Sequence, residues 1–454
     1  MLQYFFNLEP LLRPYVSPFV IDSVSEDIRQ LVLSFIDRFD HAIFLDSNSQ
    51  AQCPIPLTGI KYDFIAAAGM LHEVGVKSNN LFELQEFLDN HQGKKNWIFG
   101  YLTYEVKNQI EIIHSANSEA VSFPEYNFFV PKYIFISQNG KTQLISLMED
   151  PETAWTSFLD TMESSKIGKA PQVKIAYVPN RNDYLVAVKK ILERIKRGDI
   201  YEVNLCQQIT GTSVAFKPST TYLDLVKSSP GPFSCYLKHH KRYLLCASPE
   251  RFVSRSGSKL ISQPIKGTAR RGSNEQSDEL SKNHLATSEK EKAENVMIVD
   301  LVRNDLSKFA VTGTVLVDEL FGVYTFPRVH QMISTVSCEV KKAVTFTQIL
   351  RSAFPMGSMT GAPKVSAMNI IEEFENFKRG LFSGTVGYIQ PDGDFDFNVV
   401  IRSILYDSES RTIAIAAGGA ITNKSIPEEE FDEMVLKLRP QLQALGLDPE
   451  KLFN

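Results

Sequence analysis

The C-terminal part of the chain constrains the fold most, because strand patterns, turn residues and a long helical pattern follow one another there. Residues 385–390, 399–406 and 412–417 are apolar runs of strand length, and Pro391-Asp392-Gly393 is a strong turn signal after the first run. Residues 427–445 then carry apolar side chains at helical spacing. The sequence therefore predicts three strands followed by one amphipathic helix.

The middle of the chain adds another amphipathic helix and further strands. Residues 184–197 have helical spacing and stop at Gly198-Asp199. Residues 200–209, 243–247 and 259–265 are predicted strands.

A change in composition marks a candidate domain boundary. Residues 1–165 contain mixed helix and strand patterns with few chemical signals, and residues 164–171 are small and polar (SSKIGKAP). We therefore predict an N-terminal region, residues 1–165, and a second region, residues 166–450.

Composition excludes several classes of function. The chain has 454 residues, of which 43% are hydrophobic and 22% charged, as expected for a globular protein with a sizeable core. A net charge of -5 without a basic run gives no reason to expect nucleic acid. No apolar run approaches the roughly 18 residues of a membrane span, and the N-terminus lacks the basic segment of a signal peptide. We expect a cytoplasmic protein without a membrane partner.

The cysteines agree with a reducing compartment. There are five, widely spaced and without a Cys-x-x-Cys, so neither a disulfide framework nor a structural zinc site is predicted. None lies in the Gly-x-Cys-x-Gly turn that carries a glutaminase nucleophile.

A single lysine is the first candidate for chemistry. The predicted strand 259–265 leads into a Gly-Thr turn that carries Lys266. A lysine beside a glycine is usually a solvated loop residue. Two acidic helices and an arginine further along the chain indicate an anionic substrate held against a divalent metal, and this makes Lys266 a candidate nucleophile.

The first acidic helix begins near Ser288. Ser288-x-x-Glu291 is a capping box before an apolar run, and Glu294 shares a face with Ile298 and Leu301. A carboxylate pair bordering a buried face indicates a metal site. An acidic first turn that the helix dipole favours explains the same pair, and the helix alone does not separate these readings.

The second acidic pair, Glu430 and Glu433, lies on the last predicted helix. Its plain interpretation is a solvated face with a Glu433–Lys437 pair, and Pro440 is expected to bend or interrupt the final turns. The repetition of Glu-x-x-Glu on two helices favours a metal instead. Carboxylates from two helices that leave positions open suit Mg²⁺.

An arginine in an apolar run is the candidate anion site. Arg402 alternates onto the same face as Val400 and Ile404, and a buried guanidinium there needs a partner such as a bidentate carboxylate. A structural ion pair is the alternative. Gly418-Gly419, at the end of the following strand, would let bare backbone approach a ligand.

These motifs together resemble those of the chorismate-utilising enzymes, over about residues 175–445. The resemblance rests on Ser248-Pro249-Glu250, the PIKGT stretch at 264–268, the K-E-x-x-E-N-x-M-I-V-D-L-x-R-N-D run at 290–305, Gly361-Ala362-Pro363-Lys364, Ile401-Arg402-Ser403 and the closing E-x-x-E-x-x-x-K. The family implies an α+β fold of the anthranilate-synthase type, a four-layer α/β/β/α sandwich in which two packed β-sheets have helices outside. It also implies that residues 1–165 are interwoven with the chorismate-binding catalytic domain, residues 166–450.

Two positions separate activities within this family. Anthranilate synthases resemble one another in having alanine inside P-I-x-G-T, where this chain has Lys266. Isochorismate and salicylate synthases have a general-base lysine at the position that Glu202 occupies here, so this chain lacks their base. Together the two positions make the resemblance imply the branch that converts chorismate and ammonia to 4-amino-4-deoxychorismate. An anthranilate synthase and a non-catalytic chorismate-binding homologue are the alternatives.

The resemblance also implies residue roles. Lys266 attacks carbon 2 of chorismate while Glu250, as general acid, helps the carbon-4 hydroxyl to leave; ammonia then attacks carbon 4 and expels the lysine. This requires a depressed pKa for Lys266 and a raised pKa for Glu250. Mg²⁺ would be held by Glu294 and Glu433, and the implied substrate contacts are Arg402, Tyr388, Gly418, Gly419, Thr268, Ser358, Lys437, Glu291 and Glu430.

The sequence departs from the family at three places. His330 lies one residue before the position where relatives have histidine, which is Gln331 here. Gly418-Gly419-Ala420 replaces a Gly-Gly-Gly or Gly-Ala-Gly of relatives, and Glu202 replaces a glutamine. Because the chain lacks a glutaminase motif, a separate glutamine amidotransferase subunit is the predicted source of ammonia.

Overall fold

The computed structural model describes residues 15–21, 26–48, 59–75, 81–92, 94, 96–113, 115–148, 151–160 and 171–453. The strands are β1 Tyr15–Ile21, β2 His41–Asp46, β3 Phe64–Val74, β4 Ile98–Leu102, β5 Tyr126–Gln138, β6 Lys141–Ser146, β7 Val173–Tyr177, β8 Glu202–Ser213, β9 Phe233–His239, β10 Arg242–Ser248, β11 Arg251–Ser256, β12 Lys259–Gln263, β13 Ile265–Arg270, β14 Leu316–Thr325, β15 Val329–Glu339, β16 Gly361–Ala362, β17 Thr385–Ile389, β18 Phe395–Asn398, β19 Ser403–Asp407 and β20 Thr412–Ile421. The α-helices are α1 Glu26–Ile36, α2 Leu81–Gln92, α3 Pro151–Leu159, α4 Arg181–Arg197, α5 Pro218–Ser228, α6 Glu275–Thr287, α7 Glu289–Ser307, α8 Phe346–Ala353, α9 Lys364–Phe374, α10 Pro427–Ala444 and α11 Pro449–Phe453. Of these described helices, none is both long and apolar enough to cross a membrane.

The strands form two antiparallel layers. One follows the order β1-β6-β5-β3-β2-β9-β10-β19-β20-β8-β7, and the other the order β4-β17-β18-β11-β12-β15, with β13 and β14 also paired to β15. The long strand β5 joins the layers because it pairs with β3 and β6 in one and with β4 in the other. All the strands therefore belong to one connected network.

Strand β10 shows how the layers are packed. Leu244 and Cys246 point into the core that contains residues of both layers. Leu245 and Ala247 alternate to the opposite side and pack with apolar side chains of α4, α5 and α10. This order of helix, sheet, sheet and helix confirms the predicted α+β architecture.

Strands from both sides of the predicted boundary share these layers. Strand β2 lies between β3 and β9, and β4 pairs with β17. The boundary itself, at residue 165, lies outside the described residues, and the division into residues 1–165 and 166–450 remains a prediction. The thiols of Cys206, Cys235, Cys246 and Cys338 are buried and free, and Cys53 also lies outside the described residues.

Proline residues produced two differences from the predicted elements. Pro264 separates β12 from β13, so Lys266 lies within a strand and not in a turn. Pro440 does not interrupt α10, which continues to Ala444, because Leu438 and Leu442 hold the final turns in the core. The predicted strand 399–406 begins only at Ser403.

Candidate active site

A cavity of about 760 Å³ lies where β13, β20, α7 and α10 meet. Its lining includes most of the predicted site residues: Glu250, Lys266, Thr268, Glu291, Glu294, Ser358, Arg402, Gly418, Glu430, Glu433 and Lys437. Residues separated by as much as 187 positions in the sequence thus line one cavity.

A bulge in β13 directs Lys266 into the cavity. The pairing with β15 shifts register between Ile265 and Thr268, and Gly267 has a φ of 89°. A Cβ at Gly267 would lie 3.0 Å from Oε2 of Glu291, so a side chain there would collide with the first acidic pair. Glycine is therefore required on both conformational and steric grounds.

In the ligand-free protein, Lys266 forms an ion pair with Glu202. Its Nζ lies 2.7 Å from Oε1 of Glu202, and both residues are buried. Burial lowers the pKa of Lys266, but the carboxylates of Glu202 and Glu294 outweigh burial and hold this pKa above its ordinary value. The expectation of a depressed pKa is therefore wrong for the ligand-free protein, because two buried carboxylates stabilise the ammonium.

Glu250 lies just beyond the end of β10, on the other side of the lysine. The Ser248 hydroxyl fixes this turn by accepting a hydrogen bond from the Glu250 amide at 3.2 Å and donating to the Val399 carbonyl at 2.6 Å. Burial raises the pKa of Glu250 to about 7, against the lowering effects of the Ser358 hydroxyl and Lys266. A carboxyl that is half-protonated near neutral pH has the property that a general acid requires.

Helix α7 carries the first acidic pair. Its N-cap is Ser288, as predicted, and the Ser288 hydroxyl accepts a hydrogen bond from the Glu291 amide. Glu294 is buried, and its Oε1 has no hydrogen-bond partner. Burial raises the pKa of Glu294 to about 7 against the attraction of Lys266, and burial and Glu433 also raise the pKa of Glu291.

Helix α10 carries the second pair in a different environment. Glu433 lies 2.7 Å from Nζ of Lys437, which holds the pKa of Glu433 down at about 2. Glu430 is buried and lies 3.4 Å from Nζ of Lys290. Lys437 also donates to the Gly418 carbonyl at 2.9 Å.

These carboxylates fit Mg²⁺ as a bound ion. The orphaned Oε1 of Glu294 is a buried oxygen that lacks a partner, and all four donors are hard oxygen ligands. In the described part of the chain, the four carboxylates do not form a preassembled group of three ligand atoms. Such an open set suits an ion that keeps several waters and accepts substrate oxygens.

Arg402 reaches the cavity from an unusual backbone conformation. Its φ is 53°, in the left-handed region, and it precedes β19 instead of alternating within a strand. Nη1 donates to the Lys437 carbonyl at 2.9 Å, and burial lowers the pKa of Arg402 to about 10. Among the described residues, no carboxylate is hydrogen-bonded to the Arg402 guanidinium, and Arg402 lines the cavity.

Two predicted contacts are placed differently. Tyr388 is not in the lining of the large cavity, which includes Phe382; it lines a separate cavity of about 60 Å³, and its ring centroid lies 5.9 Å from those of Tyr62 and Trp97. Its role as a substrate contact remains a prediction. Gly419 lies beside the wall, where a Cβ would be 3.3 Å from Oε2 of Glu430.

The structure also decides the place of His330. Its Nε2 lies 3.0 Å from Oδ1 of Asp278 and its Nδ1 lies 3.0 Å from the Thr325 hydroxyl, so both nitrogens are used outside the cavity. Gln331 lines the cavity. Lys364 of the Gly-Ala-Pro-Lys motif is structural, because it pairs with Asp305 at 2.6 Å.

Sequence patterns did not identify the cations around the cavity. Its lining also includes Arg270, Arg271, Lys290, Arg328 and Arg439. These residues share no spacing, and only the tertiary fold brings them together. Such a concentration of positive charge favours an anionic ligand.

Comparison with known proteins identifies the family. A family model described as chorismate binding enzyme matches residues 40–443. The chain belongs to this family. The resemblance inferred from the motifs is thereby confirmed.

Individual relatives in the family carry two different names. Component 1 of aminodeoxychorismate synthase from Bacillus subtilis is 31% identical over 366 residues, covering 78% of this chain and 77% of that protein. Component 1 of anthranilate synthase from Saccharolobus solfataricus is 33% identical over 356 residues, covering 78% and 81%. The chloroplastic aminodeoxychorismate synthase of Arabidopsis thaliana is 37% identical over 373 residues, covering 76% of this chain but only 40% of that protein. The chain thus spans less than half the length of this last relative.

A solved structure supports the fold. The menaquinone-specific isochorismate synthase of Escherichia coli superposes with a TM-score of 0.73 and 18% identity, covering 96% of this chain and 97% of that one. At this identity the likeness concerns the fold alone.

Proposed function

We propose that this protein is an aminodeoxychorismate synthase that converts chorismate and ammonia to 4-amino-4-deoxychorismate. The observation that carries the proposal is the position of Lys266, which lines the cavity with Glu250 and the carboxylates of α7 and α10. Overall identity does not choose between the two names, since relatives with either name are similarly close to this chain. The choice therefore rests on the nucleophilic side chain in the bulge.

The chemistry follows from two opposed groups. Neutral Nζ of Lys266 forms a bond to carbon 2 of chorismate, the ring double bond shifts, and the bond from carbon 4 to its hydroxyl breaks. Glu250, with a pKa raised to about 7, supplies the proton with which that hydroxyl leaves as water. Ammonia then bonds to carbon 4, and Lys266 departs from carbon 2 as an amine.

The residues around Lys266 determine the charge state and the position of its amine. Glu294 and Glu433, with Glu291 and Glu430 nearby, would hold Mg²⁺, and the ion would supply positive charge to bind the ring carboxylate and to offset the carboxylates that raise the pKa of Lys266. Arg402 and the other cations of the wall hold the side-chain carboxylate of the substrate. Glu202 fixes the position of the lysine side chain by accepting a hydrogen bond from its Nζ at 2.7 Å.

The proposal includes a partner and a metabolic place. A separate glutamine amidotransferase subunit supplies ammonia, as the word component in the name of the Bacillus subtilis relative suggests for that protein. The reaction belongs to the transaminase class of transferases in p-aminobenzoate and folate biosynthesis. The cytoplasm is the proposed compartment.

The test uses the full chain with chorismate, Mg²⁺ and an ammonium salt. We expect 4-amino-4-deoxychorismate from the native protein and a loss of at least about 10⁴-fold in Lys266→Ala, because the nucleophile is removed. The exposed Lys341→Ala is the matched control and retains full activity. Without ammonia, intact-mass analysis detects a chorismate-derived adduct in the native protein and in Lys341→Ala only.

Two results would overturn the proposal. Fluorescent anthranilate as the product would assign the chain to the alternative activity, whatever the role of the lysine. Absence of any turnover in a folded protein would assign it a non-catalytic, chorismate-binding role.

A further inference from the structure

Three histidines converge at the end of the hairpin that lies away from the active site. His41 begins β2 and is paired directly with His239 at the end of β9, and His240 follows in the hairpin turn. One ring nitrogen from each lies within 4.8 Å of the other two. In the described part of the chain, this is the group of histidine, cysteine and carboxylate ligands that is close enough to hold an ion.

The two buried imidazoles are oriented by a second layer of hydrogen bonds. Nε2 of His41 lies 3.0 Å from Oε2 of Glu73, and Nδ1 of His239 lies 2.6 Å from the Tyr101 hydroxyl. Each contact occupies one nitrogen of its ring and leaves the other nitrogen without a hydrogen bond to Glu73 or Tyr101, so a tautomer with that nitrogen unprotonated can bind a ligand. A carboxylate or hydroxyl behind an imidazole is the usual arrangement of histidine ligands to metals.

The third imidazole completes the group from the solvent side. His240 has a φ of 54°, a left-handed conformation that is uncommon for a residue with a side chain. Its ring centroid lies 4.8 Å from that of His41 and 4.9 Å from that of His239, although its side chain is 48% exposed. The turn thus places an exposed histidine over two buried ones and leaves a route for an ion to enter.

The surrounding charges suit a cation. Glu73 and Asp40 provide negative charge close to the group, and Arg242 provides the opposing positive charge.

We propose that His41, His239 and His240 bind a divalent transition-metal ion, for which Zn²⁺ is the best match. Three neutral imidazoles with a position open to water are a familiar zinc ligand set, with Zn–N distances of about 2.0–2.1 Å. The ring nitrogens lie within 4.8 Å of one another, so side-chain adjustment would have to bring them closer around one ion. Mg²⁺ does not compete, since it prefers oxygen ligands.

The site is independent of the carboxylates in the active site. Strand β10 separates the turn from Glu250, a distance of roughly 25 Å at about 3.3 Å per residue. An ion there would link β2 to the β9–β10 hairpin, whose far end carries Glu250. Its effect is therefore on the stability of this strand triplet and not on the chemical step.

The test measures Zn²⁺ binding to the chelator-treated full chain in the presence of excess Mg²⁺, by competition with a chromophoric chelator. We expect one equivalent of bound Zn²⁺ and an upward shift of the thermal midpoint by several degrees. His240→Gln, at an exposed position that leaves the core intact, weakens binding at least tenfold, and Glu73→Gln weakens it less. His284→Gln, which removes an exposed histidine of α6, leaves binding unchanged.

Three results would overturn the proposal. The native protein could bind no Zn²⁺ under these conditions, or the native protein and His240→Gln could bind it with equal affinity. A loss of Zn²⁺ binding in Glu294→Gln instead would place the ion in the active site and not at the histidines.

Discussion

The two Glu-x-x-Glu pairs have the same spacing, yet the second glutamate of each pair has its pKa shifted in the opposite direction. On α7, Glu294 is buried with an unpartnered oxygen and its pKa is raised to about 7. On α10, Glu433 is paired with Lys437 and its pKa is lowered to about 2. The motif fixes the spacing of the carboxylates, but their neighbours decide whether each one is charged before a ligand binds.

The difference indicates that the carboxylates of α7 and α10 respond differently to a bound cation. On α10, Glu433 is already ionised and is matched by Lys437 of the same helix, so little free energy is needed to hold its charge. The α7 pair is held in a state that costs free energy until a cation enters. We therefore expect the α7 pair to respond most strongly to the metal.

The largest expected effect is on turnover. Glu294→Gln should reduce kcat/KM roughly 10³-fold, because it removes the proposed metal ligand whose buried Oε1 has no hydrogen-bond partner among the described residues. Glu433→Gln should cost about tenfold to 100-fold, because Lys437 already neutralises much of that charge. Steady-state assays at several Mg²⁺ concentrations measure both, and Glu289→Gln, whose side chain is 87% exposed, is the control with less than a twofold change. Equal losses of kcat/KM in Glu294→Gln and Glu433→Gln would contradict the stronger dependence of the α7 carboxylate on the metal.

The next effect is on stability without metal. The folded pKa of Glu294 is above its unfolded value near 4.5, so its ionisation destabilises the fold increasingly as pH rises from about 4.5 to about 7. At pH 8 in the presence of a chelator, Glu294→Gln should be more stable than the native protein by about 1–3 kcal/mol. Urea unfolding at pH 8 and pH 4 measures this difference, which should vanish at the lower pH.

In the same urea experiment, substitution of Glu433 should change the free energy of unfolding in the opposite direction. Its folded pKa is below the unfolded value, so it stabilises the fold above about pH 4.5 and loses this effect as pH falls towards 2. Since its side chain is 44% exposed, Glu433→Gln should cost less than about 1 kcal/mol at pH 8. A gain in stability for Glu433→Gln would contradict the contrast between the helices.

The smallest predicted effect concerns the lysine between the pairs. Glu202→Gln removes the nearest charge that raises the pKa of Lys266, so more of the amine is neutral at a given pH. The acid limb of the kcat/KM profile should move down by about one pH unit, or tenfold in rate on that limb. Profiles of the native protein, Glu202→Gln and Glu289→Gln measure the shift. An unmoved or rising limb in Glu202→Gln would show that Glu202 does not set the lysine's charge.

Local sequence signals predicted the helices and the motifs well. The capping box placed the start of α7 at Ser288, and the stop signal placed the end of α4 at Arg197. Both depend on hydrogen bonds between residues that are neighbours in the chain. The layer order needed the family resemblance, because pairings such as β4 with β17 join residues that no local pattern relates.

The misplaced details share a physical cause. Lys266 was assigned to a turn because Gly267 follows it, whereas pairing with β15 extends the strand through a bulge. Its raised pKa depends on Glu202 and Glu294, which are distant in sequence. Tyr388 and Phe382 are both aromatic and close in the chain, and only the path of the backbone decides which one faces the cavity.

The position of β2 has a consequence for how the chain folds during synthesis. His41 of β2 pairs with His239 of β9, roughly 200 residues later in the chain. One edge of β2 therefore stays unpaired until the ribosome has made β9. At about 5–20 residues per second, this delay lasts roughly 10–40 seconds. Throughout it, the apolar side chains of Ile43 and Phe44 lack their cross-strand neighbours Leu237 and Tyr236. Chaperone dependence of newly made protein should therefore be greatest before β9 emerges from the ribosome.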